Sequence, residues 1–418
     1  MKRILILAST TGYQTRVFEE TARRIGYEPV MATDRCRHLD DPWGDHALAV
    51  RFQEPDAGAA ILSRLVPPPD GVVAVGDKPT EIAAIVAERL GLRFHPRASV
   101  LACRNKFLTR ERFREAGLPV PDYYRVALHT DLGEAVRSAT FPCVLKPLGL
   151  SGSRGVIRAD SESEFFEAFQ RICDILDQPD VRRLHDEQDR FLQVESYIPG
   201  REFALEGLVT GGKLRTLALF DKPDPLEGPF FEETLYVAPS REPEDVQLAI
   251  RQAAQKAVSA LGMTDGPLHA EMRVNDQGVW MLEAAARPIG GLCAKAIRLT
   301  GGMSLEELLL RAAVGEDVSG VGSEDGASGV MMLPVPRAGV YRGVTGVDEA
   351  EAVAGITEVV ITAKEGQRMV PPPEGASYPG FLFARAGSPE AVEAALRESQ
   401  ARLRFEISTE LPAMRPGA

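Results

Sequence analysis

The residues best suited to chemistry in this 418-residue chain lie in one short stretch. It runs Leu268-His269-Ala270-Glu271-Met272-Arg273-Val274, then Asn275-Asp276-Gln277-Gly278, then Val279-Trp280-Met281-Leu282-Glu283. Two apolar-rich runs around a Gly-containing turn predict a β-hairpin. With Asp276-Gln277-Gly278 as a three-residue loop and Gly278 in its left-handed position, Asn275 pairs with Val279 and Glu271 falls opposite Glu283. Directly opposed side chains have Cβ atoms about 5 Å apart, and like charges there are destabilising unless something positive lies between them. Such a pair suits Mg²⁺, which is held by a few protein oxygens together with phosphate oxygens. Arg273 and Arg287 could instead neutralise the two acids on a solvent-facing strand pair, and the hairpin alone does not choose. Strand alternation puts His269, Glu271 and Arg273 on one face, with Glu283, Ala285 and Arg287 on the matching face if the extended path continues.

Upstream, Lys146 ends the apolar run Phe141-Pro142-Cys143-Val144-Leu145-Lys146-Pro147, just before Leu148-Gly149-Leu150-Ser151-Gly152-Ser153-Arg154-Gly155. A short Gly/Ser loop exposes backbone N–H groups and lets phosphate oxygens approach closely. A neighbouring lysine adds a mobile positive charge. The order of a P-loop, GxxxxGK[ST], is absent, and taken singly this is an ordinary loop. Lys106 reads singly as a helix-surface lysine. Gln193-Val194-Glu195-Ser196-Tyr197-Ile198-Pro199-Gly200-Arg201-Glu202 reads as a strand edge with a Pro-Gly turn. Asp77 follows the apolar run Val72–Val75, at a strand's carboxyl end, where open-sheet sites form. His269 could orient a substrate, although a structural histidine is the plainer reading.

The elements that must position these residues follow from periodicity. Strands at 3–8, 28–32 and 72–75, alternating with helices at 13–25 and 79–90, predict an open parallel sheet over about the first 95 residues. No GxGxxG follows the first strand, which argues against a dinucleotide site. A helix over 105–116 stops at Gly117. The charged stretch 175–190 reads as a solvated insertion. Strands are expected at 191–197, 202–209 and in the hairpin, with helices over 245–261 and 304–314. A Gly-, Ser- and acid-rich linker, 316–329, leads to short β stretches (329–334, 358–363, 380–385) and a helix (389–403), read as a separate α+β unit. Composition agrees with a soluble chain of two to four structural units, 44% hydrophobic and 26% charged. The five scattered cysteines form no CxxC pair, which fits a reduced, cytoplasmic setting. No run of roughly 18 apolar residues suggests a membrane span. The net charge of −12 opposes a nucleic-acid partner.

Taken together, in order and spacing, these segments resemble the ATP-grasp superfamily. The resemblance covers roughly residues 1–315 and implies a mixed α/β and α+β ATP-grasp fold. Its units would be an N-terminal open parallel α/β domain (1–97), an ATP-grasp domain (98–315) with a lid at about 120–197, and a β-rich C-terminal α+β domain (316–418). It implies that Lys106 and Lys146 serve the nucleotide and that Ser151, Gly152, Ser153 and Gly155 belong to the loop that covers its phosphates. Glu195, Ser196, Tyr197 and Ile198 would form the adenine-receiving hinge, and Glu202, seven residues after Glu195, would hold the ribose. Glu271 and Glu283 would bind metal, and Arg287 would contact phosphate and the activated carboxylate.

One departure is informative. Many family members carry Glu-x-Asn-x-Arg, but here the run is Glu283-Ala284-Ala285-Ala286-Arg287, and Ala285 cannot ligate a metal. This variant, with Gly290-Gly291 after it and the β-rich tail, resembles the L-amino acid ligase branch. The implied activity is ATP- and Mg²⁺-dependent joining of a small-molecule carboxylate and an amine through an acyl-phosphate. Two ions and Mn²⁺ substitution are compatible with it, as is a homodimer. Lys146, Arg287 and His269 are the residues expected nearest the chemistry. A carboxylase or purine-pathway ligase, and a regulatory nucleotide-binding module without turnover, are the alternatives.

Overall fold

The structure, a computed structural model, describes residues 1–9, 14–34, 47–182 and 186–409. The apolar runs near the N-terminus form a four-stranded, all-parallel sheet in the order Leu48–Ala49, Glu28–Thr33, Arg3–Ala8, Gly71–Val75. Ile4 to Ala8 and Val72 to Val75 are buried, as expected of parallel strands covered on both faces. Asn105 caps the next helix, Lys106–Glu115, by accepting from the Phe107 and Leu108 N–H groups, so Lys106 is fixed at a helix start.

A four-stranded antiparallel sheet, ordered Tyr123–Ala127, Phe191–Ser196, Cys143–Pro147, Ile157–Ala159, forms the lid. The stretch 175–190 is not simply a solvated insertion. Ile175 and Leu176 complete the helix Glu162–Leu176 and are buried, and Leu176 and Val181 pack into the core of the lid sheet. The apolar residues among the charges carry that packing.

The largest sheet has eight strands, in the order Gly278–Ala285, Gly266–Asn275, Arg201–Thr210, Lys213–Asp221, Leu235–Ala238, Ala327–Met332, Gly380–Ala386, Ile356–Ile361. Three strands from beyond residue 326 therefore extend the central sheet, through the Leu235–Ala238 to Ala327–Met332 pairing, rather than building a sheet of their own. Only Gly339–Thr345, Arg368–Met369 and Arg404–Ser408 form a small separate sheet.

The hairpin differs from its expected register in an instructive way. The turn is the two residues Asp276-Gln277, so Asn275 pairs with Gly278 and not with Val279. The Asn275 side chain accepts from the Gln277 N–H and the Trp280 indole, which favours the tighter turn. That shift alone would put Glu271 opposite Leu282. A bulge at Leu282 then inserts one extra residue, and Glu271 pairs with Glu283 after all.

Candidate active site

A cleft between the lid sheet and the central sheet collects most of the residues singled out in the sequence. Lys106, Lys146, Ser151, Gly152, Ser153, Glu195, Ser196, Tyr197, Ile198, Glu202, Glu271 and Glu283 all line it. Gly155, Arg287 and His269 stand outside its wall, each in contact with something that forms it.

The lysines approach from two elements. Lys106 Nζ donates to the Leu150 carbonyl at 2.8 Å, inside the glycine loop. Lys146 pairs with Glu195, whose carboxylate also holds Arg110 Nε at 2.6 Å and Nη2 at 3.2 Å. Arg110 and Glu195 are both only 2% exposed. Burial raises the Glu195 pKa, but the Arg110 and Lys146 charges outweigh it and hold the carboxyl far below the usual range. Burial also draws the Lys146 ammonium below its ordinary value, against the pull of Glu195.

The loop residues Gly152, Ser153 and Gly155 adopt left-handed backbone, with φ of 64°, 55° and 73°. At Gly155 a Cβ would come within 2.7 Å of Pro147. A strap from the C-terminal region clasps the loop. Gly155 N–H donates to the Pro373 carbonyl at 2.9 Å, Arg154 Nε to the Glu374 carbonyl at 2.9 Å, and Arg171 grips the Glu374 carboxylate at 2.6 and 3.0 Å.

At the hinge, the Ser196 and Tyr197 N–H groups donate to the Asp122 and Pro142 carbonyls. Arg273 joins hinge to floor, donating to the Ile198 carbonyl at 2.7 Å and to Glu202 at 2.8 Å. Arg273 is 4% exposed, so it is not a solvent-facing neutraliser.

Deeper in, the structure adds residues that the sequence did not single out. Lys222 Nζ lies 2.9 Å from Glu202 and 3.0 Å from Glu271, and also pairs with Glu233. Carboxylate oxygens of the three acids lie within 4.8 Å of one another. Burial penalises the Lys222 charge, yet the three acids hold its pKa well above the ordinary value. Burial raises the Glu271 pKa, but the Lys222 ammonium and a bond from His269 outweigh it and keep the carboxyl well below the usual range. Glu233 is pushed up to about 7, by burial and by Glu271. The signal for Lys222 was its position directly after a buried apolar strand. For Glu206 it was a lone acid inside the run Phe203–Val209.

His269 is sandwiched between Glu206, 3.2 Å from Nδ1, and Glu271, 3.5 Å from Nε2. Burial would lower its pKa, but these bonds raise it to about 9. Its two ring nitrogens thus each face a carboxylate, and one of the two is Glu271. Arg287 Nε donates to Asp77 at 3.0 Å, and its guanidinium lies 3.9 Å from Glu283. Asp77, at the end of the N-terminal sheet, is thereby tied through Arg287 to Glu283.

A second cleft of about 400 Å³ opens from the first between the N-terminal sheet and the lid. Lys106, Leu150, Ser151, Leu282 and Glu283 line both.

The comparisons agree with this geometry. Residues 139–296 match the ATP-grasp domain, and residues 331–408 match the L-amino acid ligase C-terminal domain 2. The alanine–anticapsin ligase of Bacillus subtilis (strain 168) is 28% identical over 54% of this chain, a match that spans half of that protein's length. The L-arginine-specific L-amino acid ligase of Bacillus subtilis is 23% identical over 88% of each chain. The crystal structure of L-amino acid ligase from Bacillus licheniformis superposes with a TM-score of 0.83 at 27% identity, covering 98% of this chain and 99% of that one. The chain thus contains an ATP-grasp domain followed by an L-amino acid ligase C-terminal domain.

Proposed function

We propose that this chain joins the carboxylate of one amino acid to the amine of another at the expense of ATP, releasing ADP and phosphate. The observation that carries the reading is the convergence on one cleft of two lysines, a glycine loop and an opposed carboxylate pair, with Arg287 just behind Glu283. A carboxylate reacts poorly with amines because its oxygen is a poor leaving group. Phosphoryl transfer to that oxygen gives a mixed anhydride, which the amine then attacks at carbon as the C–O bond to phosphate breaks. Such chemistry asks the protein for positioning and charge neutralisation.

In this reading the Ile198 N–H, which has no partner among the described residues, faces the adenine, and Glu202 the ribose. Lys106 and Lys146 turn from Leu150 and Glu195 toward the phosphates. Glu271 suits Mg²⁺ because its oxygens lie within 4.8 Å of those of Glu202 and Glu233 around the Lys222 ammonium, and Glu283, opposite it in the hairpin, would add a further oxygen ligand. Bound there with the nucleotide, the ion would offset phosphate charge. A second ion, or Mn²⁺ in its place, would rely on Glu283 and the phosphates, because Ala285 supplies no oxygen. Arg287, braced on Asp77, offers the Nη2 side of its guanidinium, beside Glu283, to the transferring group. His269 acts through Glu271 as a positioning residue. The glycine loop, held by the strap, excludes the water that would hydrolyse the anhydride.

A carboxylase or purine-pathway reading is not favoured, because the C-terminal domain is of the ligase type. The test is ADP release with paired amino acids, followed by mass identification of the product. Amino-acid-dependent ADP formation with a dehydrated adduct supports the reading. ADP release that needs bicarbonate and no amino acid overturns it, as does release of AMP and pyrophosphate.

A further inference from the structure

The cations near the two clefts are nearly all engaged: Lys146 on Glu195, Lys222 on three acids, Arg104 on Glu81, Arg287 on Asp77 and Lys106 on a carbonyl. Lys78 is the exception. It lines the second cleft, is partly buried, and makes no hydrogen bond or ion pair among the described residues. It stands just past the carboxyl end of Gly71–Val75, where ligands of open parallel sheets are received. Its neighbour Asp77 braces Arg287, so Lys78 has a fixed relation to the reacting end of the first cleft.

Burial pulls the Lys78 pKa down, against the charges of Asp34, Asp189 and Asp180, none of which pairs with it directly. A partly buried ammonium without a direct partner is costly until an anion arrives. The phosphates already have Lys106 and Lys146, so the anion that remains to be seated is a carboxylate. The lid wall of the same cleft carries Asp189, and Gly149 is what lets it stand there, since a Cβ at that position would lie 2.6 Å from Asp189 Oδ1. A cleft with a free ammonium on one wall and an acid on the other complements a zwitterion.

We propose that Lys78 seats the carboxylate of the amine-donating substrate, a free amino acid bound as its zwitterion in the second cleft, with Asp189 on the ammonium side. The proposal rests on the ligase reading above and names the class of its second substrate. A substrate with an amidated carboxyl group leaves Lys78 unpaired and is selected against.

The experiment titrates free amino acids and their carboxamides calorimetrically into the full-length protein saturated with Mg-ADP, comparing wild type, Lys78→Met and Lys78→Arg. Wild type is expected to bind its best free amino acid at least about tenfold tighter than the amide. Lys78→Met should bind both within about twofold, and Lys78→Arg should keep most of the preference. In turnover, Lys78→Met should raise the KM of the amine substrate and leave that of ATP unchanged. Absence of the preference in wild type overturns the proposal, as does its survival in Lys78→Met. A raised ATP KM would overturn it by making Lys78 a phosphate ligand. If the preference is present but no amide product forms, the ligase reading falls and the site stands.

Discussion

Replacing Arg110 by Met tests how Lys146, the lysine proposed to serve the nucleotide, is held. Arg110 is 2% exposed and makes three bonds, two to Glu195 and one to the Met281 carbonyl at 2.9 Å. Methionine keeps the shape but strands a buried carboxylate, and breaking one side of a buried pair costs about 3–5 kcal/mol. Lys146 and the Gln193 amide still reach Glu195, so the lower end, about 3 kcal/mol, is expected. The cost should show as a lower urea midpoint at unchanged slope. The double variant Arg110→Met/Glu195→Gln removes the stranded charge and should recover at least about 1 kcal/mol relative to the single variant. The acid limb should move too. Glu195 has a depressed folded pKa, so its contribution is present above its ordinary range and is lost as pH falls. With Arg110 gone the depression shrinks, and the loss starts at higher pH. Lys146 would then be the only cation on Glu195 and would turn less readily to phosphate, raising the KM of ATP. A single variant within about 1 kcal/mol of wild type, or strictly additive losses in the double, would refute this account.

Glu283→Ala should lower turnover about a hundredfold or more and weaken Mg-ATP binding while the melting profile stays near wild type; near-normal activity would remove Glu283 from the metal site. His269 has a folded pKa of about 9, above its ordinary 6.5. Its contribution, up to about 3 kcal/mol, should therefore be complete below about pH 6.5 and lost as pH rises through about 9. Urea midpoints at pH 6.5 and 9.5 should diverge more in wild type than in His269→Gln, and parallel behaviour would count against the charged sandwich. At the strap, Arg171→Glu and Glu374→Arg should each raise amine-independent ADP release two- to fivefold, matching an exposed pair worth about 0.5–1 kcal/mol. The charge-swapped double variant should restore coupling, and failure to do so would mean that the pair does not hold the loop.

The sequence made the opposed pair Glu271/Glu283 legible, but by a route the structure does not follow. The inferred turn was one residue too long, and Leu282 supplied the missing residue as a bulge. Bulges are set by packing and twist on the partner strand, which a single-strand pattern does not encode. Lys106 and the glycine loop read singly as a surface lysine and an ordinary loop, and only the order and spacing of the whole set singled them out; the fold brings them and Lys146 to one cleft. Arg110 was not singled out, since nothing within Lys106–Glu115 distinguishes it from Arg112 or Arg114 until the fold buries it. Lys222 and Glu233 meet Glu271 only through strand pairing across the large sheet. The continuation of that sheet into the C-terminal region was hidden for the same reason, because its pairings join residues far apart in sequence.

The bulge at Leu282 also bears on how the molecule behaves in company. It sits on Gly278–Ala285, the outermost strand of the eight-stranded sheet. An unbroken outer strand offers regularly spaced N–H and C=O groups to any passing chain, and a bulge interrupts that template. The irregularity that aims Glu283 into the cleft thus also discourages self-association along this border. Deleting Leu282 would straighten the strand and open the border to strand addition while leaving Glu283 opposite Glu271, so aggregation should rise with the acid pair still in register.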